Sequence, residues 1–298
     1  MRKKDKKRII GVSVIVLIFA VLFSLLFTID YLFGYGIRAF RGVDQGQPYP
    51  IIFIHGHSSG PIDHKLMAEG FLEDGIISED KGVFSTDDIT AFCQGGWPAD
   101  SAVDFEYYND DQNKGIPSYA SKLDEVVDFI LRCSGSEKVI LIGHSMGCIV
   151  AREFGRKEGY SKIDKIICTE GPNYGSPIAS FIFLGDAGQL RPKGPFLKRL
   201  NSNEEECAFR GRIMNVASRE LFENLLIRKV REQRDLDVCK SPSAESIVAP
   251  VETAFLANSI NVEGVGCVHG TAGVIETPSV TSPKCEWAYD EIVGFIRE

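Results

Sequence analysis

One stretch, residues 139–151, limits more than any other what this chain can fold into. Residues 139–142 read Val-Ile-Leu-Ile, which is typical of a buried strand. Residues 143–147 then read Gly-His-Ser-Met-Gly, and the apolar run that follows predicts a helix. In this setting a G-x-S-x-G pattern presents the hydroxyl of Ser145 at a strained turn, where a Cβ on either glycine would collide with neighbouring backbone. A serine in an ordinary glycine-containing loop is the alternative, and the apolar flanks argue against it.

The order of apolar patterns along the chain predicts an α/β fold. Residues 50–54, 105–108 and 165–169 read as short strands in addition to 139–142, and apolar residues at helical spacing predict two further helices. Such alternation predicts a mostly parallel sheet with helices on both faces. The marker residues are Leu123, Val127, Ile130 and Leu131 in the first helix, which begins near Pro117 and ends near Gly135, and Ala288, Ile292, Phe295 and Ile296 in the second.

Residues 181–236 interrupt this rhythm. The stretch begins with an apolar run at 181–184 and then becomes mixed, with three consecutive glutamates at 204–206. It is predicted to be a cap-like insertion that covers the active site and supplies an apolar pocket. A helical insertion that only packs on the fold is the alternative. The three glutamates are expected to form a solvated face.

The N-terminus predicts a membrane anchor. Residues 1–8 carry six Lys or Arg and one Asp, and residues 9–29 contain no charged residue and are long enough to cross a bilayer as a helix. The basic head predicts a cytoplasmic N-terminus, with a linker at 30–48 and a domain at 49–298 on the lumenal, periplasmic or extracellular side. Cleavage of a signal peptide and secretion are the alternative, but residues 23–30 are bulky where small residues are expected.

Charge and cysteine content exclude several classes of partner. The formal net charge is −8, and since residues 1–8 carry +5, the rest of the chain carries −13. An acidic domain argues against nucleic acid as a partner.

The eight cysteines lie after the predicted anchor without CxxC spacing, so no zinc cluster is expected, and neither a metal nor another cofactor is predicted. Disulfides are permitted, with a pairing that the sequence leaves open, but Cys148 and Cys168 are expected to be buried thiols.

The sharp strand-to-helix turn at residues 143–147 is called the elbow from here on. Only one histidine follows its serine, Ser145, in the sequence. A serine hydroxyl is a weak nucleophile until a base takes its proton, and a histidine can also return that proton to the leaving group. On a strand–elbow–helix fold the chain order is serine, acid, histidine. His269 is therefore the candidate base. The chain has five histidines, and the other four are His55, His57, His64 and His144.

The loop after the first strand, residues 55–61, is the second candidate element. It is polar and contains glycine, and a turn without any catalytic role is one interpretation of it. It also lies where this kind of fold needs backbone N–H groups that stabilise a tetrahedral oxyanion. We predict an oxyanion hole formed by the backbone N–H groups of Met146 and of His57 or a near neighbour. The imidazole of His57 need not take part, so a substitution there is expected to be mild.

Several ordered motifs together resemble the class 2 lipases and the related secreted bacterial triacylglycerol lipases. The resemblance runs from about Tyr49 to the C-terminus and implies an α/β-hydrolase fold that hydrolyses carboxylic esters of acyl lipids. The sequence departs from the family pattern at Cys148, where a second glycine is usual, and at residues 267–268, which separate Gly266 from His269. The motifs that carry it are His55-Gly56 after an apolar strand and residues 122–147, 171–177, 195–201, 247–254 and 261–266.

The same resemblance implies that Glu245 is the acid of the triad, because the family places its acid ahead of an apolar, proline-containing run such as 246–251. From chain order alone Asp186, Asp235 and Asp237 remain possible, and an aspartate would be more usual. A surface glutamate is the alternative for Glu245.

The sequence therefore favours a membrane-anchored serine esterase or lipase with a Ser145–Glu245–His269 triad and a lipid or other ester as substrate. An acyltransferase or lipid-remodelling deacylase would use the same residues. A hydrolase-like domain that only binds is the alternative of another class. The oligomeric state is left open.

Overall fold

The computed structural model describes residues 49–57, 60, 64–89, 96–108, 114–176, 179, 185–218, 259–264, 281, 283 and 285–298. The predicted anchor at 9–29, the linker, Glu245 and His269 lie outside these residues. In the described part of the chain, no helix is both long and apolar enough to cross a membrane.

A parallel sheet forms the centre of the described domain. Seven strands are described, and they lie in the order β2-β3-β1-β4-β5-β6-β7. Every neighbouring pair is parallel, so the predicted mostly parallel sheet is confirmed. The strands are β1 (Ile51–Ile54), β2 (Glu79–Phe84), β3 (Ser101–Phe105), β4 (Val139–His144), β5 (Ile163–Thr169), β6 (Ile213–Ser218) and β7 (Ile260–Gly264).

Six α-helices accompany these strands in the described ranges. Both helices predicted from periodicity are present. The first of these ends where Gly135 adopts a left-handed conformation (φ 72°), which a residue without a Cβ accepts at low cost. The helices are α1 (Lys65–Glu73), α2 (Ile116–Ser134), α3 (Met146–Glu158), α4 (Pro195–Asn201), α5 (Glu204–Phe209) and α6 (Glu286–Arg297).

Alternation along each strand supplies two separate cores, one on each face of the sheet. On one face Ile52 and Leu141 pack with buried residues of α2 and α3. On the other face Ile51 and Ile140 pack with residues of α1 and α6. Because successive side chains of a strand point to opposite faces, each apolar strand serves both cores.

Two sequence expectations differ from the structure. The strand predicted at 105–108 is β3, which ends at Phe105, so residues 106–108 belong to the loop that follows it. The sequence predicts a cap-like insertion at 181–236, but this interval contains β6, a strand of the central sheet. Aromatic residues favour strands by propensity, so the pattern at 106–108 overextended β3. The strand β6 lies within a segment of mixed polarity that lacks simple alternation.

Candidate active site

Ser145 lies between β4 and α3 in a conformation that is rare for a residue with a side chain. Its φ is 52° and its ψ is −119°. Such a conformation costs on the order of 1–3 kcal/mol and persists only where the surroundings enforce it. The backbone N–H of Ser145 donates to the carbonyl of Thr169 at the end of β5 (2.9 Å), which fixes the turn to the neighbouring strand.

The two glycines of the elbow are required by close backbone packing. A Cβ on Gly143 would lie 2.6 Å from the Cα of Cys148, within the first turn of α3. A Cβ on Gly147 would collide with the carbonyl oxygen of Ile54 and would lie 2.6 Å from that of His55. The start of α3 therefore rests directly on the carboxyl end of β1, as the sequence pattern predicts.

Met146 is the first residue of α3. The N–H groups of the first helical turn have no acceptor within the helix, and they carry the positive end of the helix dipole. The backbone N–H of Met146 is thus of the kind that can donate to an oxyanion beside Ser145.

The loop after β1 reaches Ser145 through Gly56. A Cβ on Gly56 would lie 3.2 Å from the Cβ of Ser145, so this residue lies against the serine. Tyr107 holds His55 through two contacts. Its Oη donates to the carbonyl oxygen of His55 (2.7 Å), and its ring stacks on the imidazole with centroids 4.0 Å apart. The imidazole Nε2 of His55 lies 3.4 Å from Glu106 Oε1. The loop after β3 therefore fixes the loop after β1.

His57, the predicted second donor of the oxyanion hole, is bound through its side chain to Asp186. Its Nδ1 lies 3.2 Å from Asp186 Oδ1. Asp186 Oδ2 accepts from the hydroxyls of Tyr108 (3.0 Å) and Tyr119 (3.1 Å), and Oδ1 accepts from the N–H of Ala187 (2.7 Å). The carboxylate is buried, and it joins the loop after β1 to the segment that follows β5.

His57 and Asp186 each stabilise the charged form of the other. The hydrogen bond with Asp186 raises the pKa of His57, although partial burial opposes the shift. Burial acts to raise the pKa of Asp186, but the hydrogen bond and charge of His57, with the Ala187 N–H and the Tyr108 hydroxyl, outweigh it and lower the pKa to about 2. Asp186 is therefore ionised across the range in which a histidine titrates.

A buried ion cluster attaches α5 to the elbow helix. Arg152 of α3 donates to both carboxylate oxygens of Glu206 (3.0 and 2.7 Å), and Arg210 donates to Oε1 (3.1 and 3.0 Å). All three side chains are completely buried. Burial acts to raise the pKa of Glu206, but the two guanidinium groups outweigh it and keep the pKa below its usual range. The expectation of a solvated face at 204–206 is thus wrong for Glu206, because a buried arginine on another element needs its charge.

The same cluster continues along the carboxyl edge of the sheet. Arg152 Nη1 donates to Asn173 Oδ1 (3.0 Å), and Asn173 Nδ2 donates to Asn215 Oδ1 in β6 (2.9 Å). Asn215 Nδ2 in turn donates to Asn261 Oδ1 in β7 (3.1 Å). The middle of β6 and the start of β7 are thereby linked to α3, and Asn215 lies opposite Cys168 at the level of Gly143.

Cys148 and Cys168 form a disulfide, which links α3 to β5. The expectation of two buried thiols is therefore wrong in chemistry, although both residues are fully buried. A Cβ on Gly171 would lie 2.6 Å from the Cβ of Cys148, so glycine at 171 makes room for the cystine. Cys133, Cys207 and Cys285 are also disulfide-bonded.

The structure thus places Ser145, Met146 and His57 in adjoining elements at one edge of the sheet, while Glu245 and His269 lie outside the described residues. Sequence reasoning missed the bond between His57 and Asp186 and the support from Tyr107 and Tyr108. A signal was present in the polar and aromatic residues that directly follow β3. Among the described residues, no group of three or more His, Cys, Asp or Glu could hold a metal ion.

The sheet and the elbow define an α/β-hydrolase-like fold. The model of the family Lecithin:cholesterol acyltransferase matches residues 88–209, which include the elbow, and no curated protein matches the chain. The product of gene lin2722 from Listeria innocua has a similar solved structure, with a TM-score of 0.51 and 13% identity over 84% of this chain and 94% of that one. This similarity supports the fold alone.

Two further solved structures are more distant. The mature lipase BlEst2 of Bacillus licheniformis has a TM-score of 0.45 and 16% identity over 75% of this chain and 86% of that one. A carboxylesterase structure from the thaumarchaeon Nitrososphaera gargenis has a TM-score of 0.46 and 11% identity over 84% and 90%. The comparisons do not confirm the class 2 lipases as the specific family.

The elbow packing makes a prediction about stability. Gly147→Ala should lower the free energy of unfolding by roughly 3 kcal/mol or more, because the new Cβ meets carbonyl groups of β1 that cannot move without disturbing the sheet. Gly294→Ala in α6 is the matched control: its Cβ would meet nothing within 4 Å, and alanine is favoured in a helix. Urea unfolding of both variants measures the difference. Equal midpoints would show that the elbow does not rest on β1.

Proposed function

We propose that this protein is a membrane-anchored serine esterase or lipase that hydrolyses carboxylic esters of acyl lipids. The observation that carries the proposal is the strained conformation of Ser145 (φ 52°) between a parallel strand and a helix whose first N–H groups lie beside it. This arrangement exposes a serine hydroxyl and supplies an oxyanion donor from the next residue. The match of the Lecithin:cholesterol acyltransferase model across the elbow supports a lipid ester as substrate.

The proposed mechanism begins with attack of Ser145 Oγ on the ester carbonyl while His269 takes the hydroxyl proton. The backbone N–H groups of Met146 and His57 stabilise the resulting oxyanion. Collapse of this intermediate breaks the bond to the alcohol, which leaves with the proton from His269, and an acyl-enzyme remains on Ser145. Water, deprotonated by His269, then attacks the acyl-enzyme and releases the fatty acid and the free serine.

Glu245 is proposed as the acid that orients His269. It lies in the sequence between β6 and β7, and His269 follows the end of β7 by five residues. The carboxyl ends of these parallel strands lie on the edge that carries Ser145, and that position supports both assignments. The alternative acid Asp186 accepts from four donors already, which occupy the lone pairs of a carboxylate. Its geometry therefore disfavours it.

An acyltransferase is the second candidate, because the family model that matches the elbow region is that of Lecithin:cholesterol acyltransferase. Both activities pass through the same acyl-enzyme and differ only in the acceptor, which is water or an alcohol. Incubation with an acyl lipid, with and without a lipid alcohol, separates them by product: free fatty acid or a new ester.

We also propose that residues 9–29 anchor the domain on the extracytoplasmic side. The basic head and the uncharged run support this orientation, and disulfide bonds at five described cysteines support an oxidising compartment.

The nucleophile is tested by covalent labelling. A fluorophosphonate probe should label wild-type protein at Ser145, and Ser145→Ala should lose labelling and nearly all esterase activity, by a factor on the order of 10⁶. Thermal melting of the variant provides the control for folding. A folded wild-type protein that is not labelled would identify a binding domain instead, and more than a few per cent of activity in the variant would remove Ser145 from its role.

The acid is tested by a matched pair of isosteric substitutions. Glu245→Gln should lower kcat on a p-nitrophenyl ester by about 10²–10⁴, because the imidazolium of His269 loses its stabilising charge. Asp237→Asn is the control and should change kcat little. The opposite ranking would assign the acid to Asp237.

Topology is tested by protease protection in sealed vesicles of known orientation. Protease should digest the domain only from the extracytoplasmic side, and the protein should remain in the membrane fraction after a high-salt wash. Recovery of a soluble mature chain that begins near residue 30 would instead indicate a cleaved signal peptide.

A further inference from the structure

The imidazole of His57 has a structural environment that the proposed function does not use. An oxyanion hole needs only the backbone N–H of this residue, and its side chain is about two-fifths exposed (38%). A solvent-exposed ring would normally be free to turn. Here its Nδ1 lies 3.2 Å from Asp186 Oδ1 and 3.3 Å from Tyr108 Oη, so the ring is held from one side.

We propose that Asp186 is a positioning residue, which holds the imidazole of His57 and thereby keeps the backbone N–H of residue 57 directed at the oxyanion. The inference rests on the proposed function and adds a residue that acts through another one. Asp186 touches neither the serine nor the ester in this role.

Asp186 can position another residue because several donors hold its own carboxylate in place. Tyr119 belongs to α2 and is completely buried, and its hydroxyl donates to Asp186 Oδ2 (3.1 Å). Tyr108 directly follows β3 and donates to the same oxygen (3.0 Å). The N–H of Ala187 donates to Oδ1 (2.7 Å) and leaves one direction at that atom for His57. The position of the imidazole is thus set by the sheet and by α2.

The hydrogen bond persists whichever charge His57 carries. The carboxylate of Asp186 is ionised down to a pKa of about 2, so it accepts from the Nδ1–H of a neutral or of a protonated ring. The hydroxyls of Tyr108 and Tyr119 also donate to this carboxylate. A constant hold suits a group that must be in place before the substrate arrives.

The peptide that joins Gly56 to His57 is held on its carbonyl side, where the oxygen of Gly56 lies 2.9 Å from His55 Nδ1 and accepts from Tyr107 Oη at 3.4 Å. Tyr107 fixes the carbonyl of His55, and Glu106 lies against its imidazole. Gly56 stands between the two histidines, and a glycine allows the following peptide to rotate more freely than any other residue would. An oxyanion donor displaced by about 1 Å loses much of its effect. The contact of the His57 side chain with Asp186 holds the same peptide from its other side.

The first experiment compares Asp186→Asn with Asp290→Asn, an exposed aspartate on α6. We expect Asp186→Asn to lower kcat on a p-nitrophenyl ester by about 10- to 100-fold while KM stays within about threefold, because a misdirected oxyanion donor affects the transition state and not the bound substrate. Asp290→Asn should match wild type. Melting temperatures of both variants report whether the fold is intact.

The second experiment distinguishes the hold on the ring from a chemical role of the ring. The side-chain amide of an asparagine at 57 can donate to Asp186 as Nδ1–H does, but it lacks any counterpart of Nε2. His57→Asn should therefore keep kcat within about fivefold of wild type, whereas His57→Ala should lose about 10- to 100-fold, in contrast to the mild effect that the sequence alone predicts. Since Asp186 acts through His57, adding Asp186→Asn to His57→Ala should cause no further loss. The two single His57 variants still test the inference if Asp186→Asn does not fold.

Three results would overturn the inference. Normal kcat in both Asp186→Asn and His57→Ala would show that the ring need not be held. Equal losses in His57→Asn and His57→Ala would assign the effect to Nε2, and additive losses in the double variant would assign Asp186 an effect independent of His57. Labelling of wild type by a fluorophosphonate distinguishes these cases from failure of the proposed function: without labelling both proposals fail, and with labelling only this one does.

Discussion

The close approach of the first turn of α3 to the carboxyl end of β1 is the constraint on which the site depends. The helix can start there only because Gly147 carries no Cβ to meet the carbonyl groups of Ile54 and His55. With the helix in this place, the chain must turn within one residue. Ser145 therefore adopts a strained backbone conformation with a positive φ. The same contact puts Gly56 against the serine. Ser145, the helix N–H groups and the loop after β1 are therefore arranged by one packing interaction.

The elbow, the parallel sheet and the two periodic helices could be predicted because each depends on residues close in sequence. Gly143, Ser145 and Gly147 fix a local conformation, and the spacing of Leu123 to Leu131 fixes a local face. The partners of Glu206 and Asp186 could not be predicted in the same way. Arg152 lies on α3 and Tyr119 on α2, and nothing near a glutamate in sequence reveals that a distant buried arginine needs its charge.

The disulfide between Cys148 and Cys168 illustrates the same limit. Small apolar neighbours correctly indicate burial at both positions, but oxidation depends on whether two Cα atoms come close enough to be bridged, which here they do at 5.1 Å. That proximity follows from the pairing of β4 with β5, where Gly143 lies opposite Cys168 and the first turn of α3 folds back over it. The unusual cysteine after the elbow thus has a structural partner on the next strand.

The buried cluster of Arg152, Glu206 and Arg210 has a consequence for evolution and for engineering. Loops above a catalytic sheet are commonly exchanged between related enzymes to change what they accept. Here α5 carries Glu206, the carboxylate that contacts both buried guanidinium groups. A transplanted segment without a carboxylate at position 206 would remove the charge that two buried cations share, at a cost of about 3–5 kcal/mol for a broken buried pair. Diversification of this enzyme by loop exchange is thus restricted to segments that retain that one glutamate.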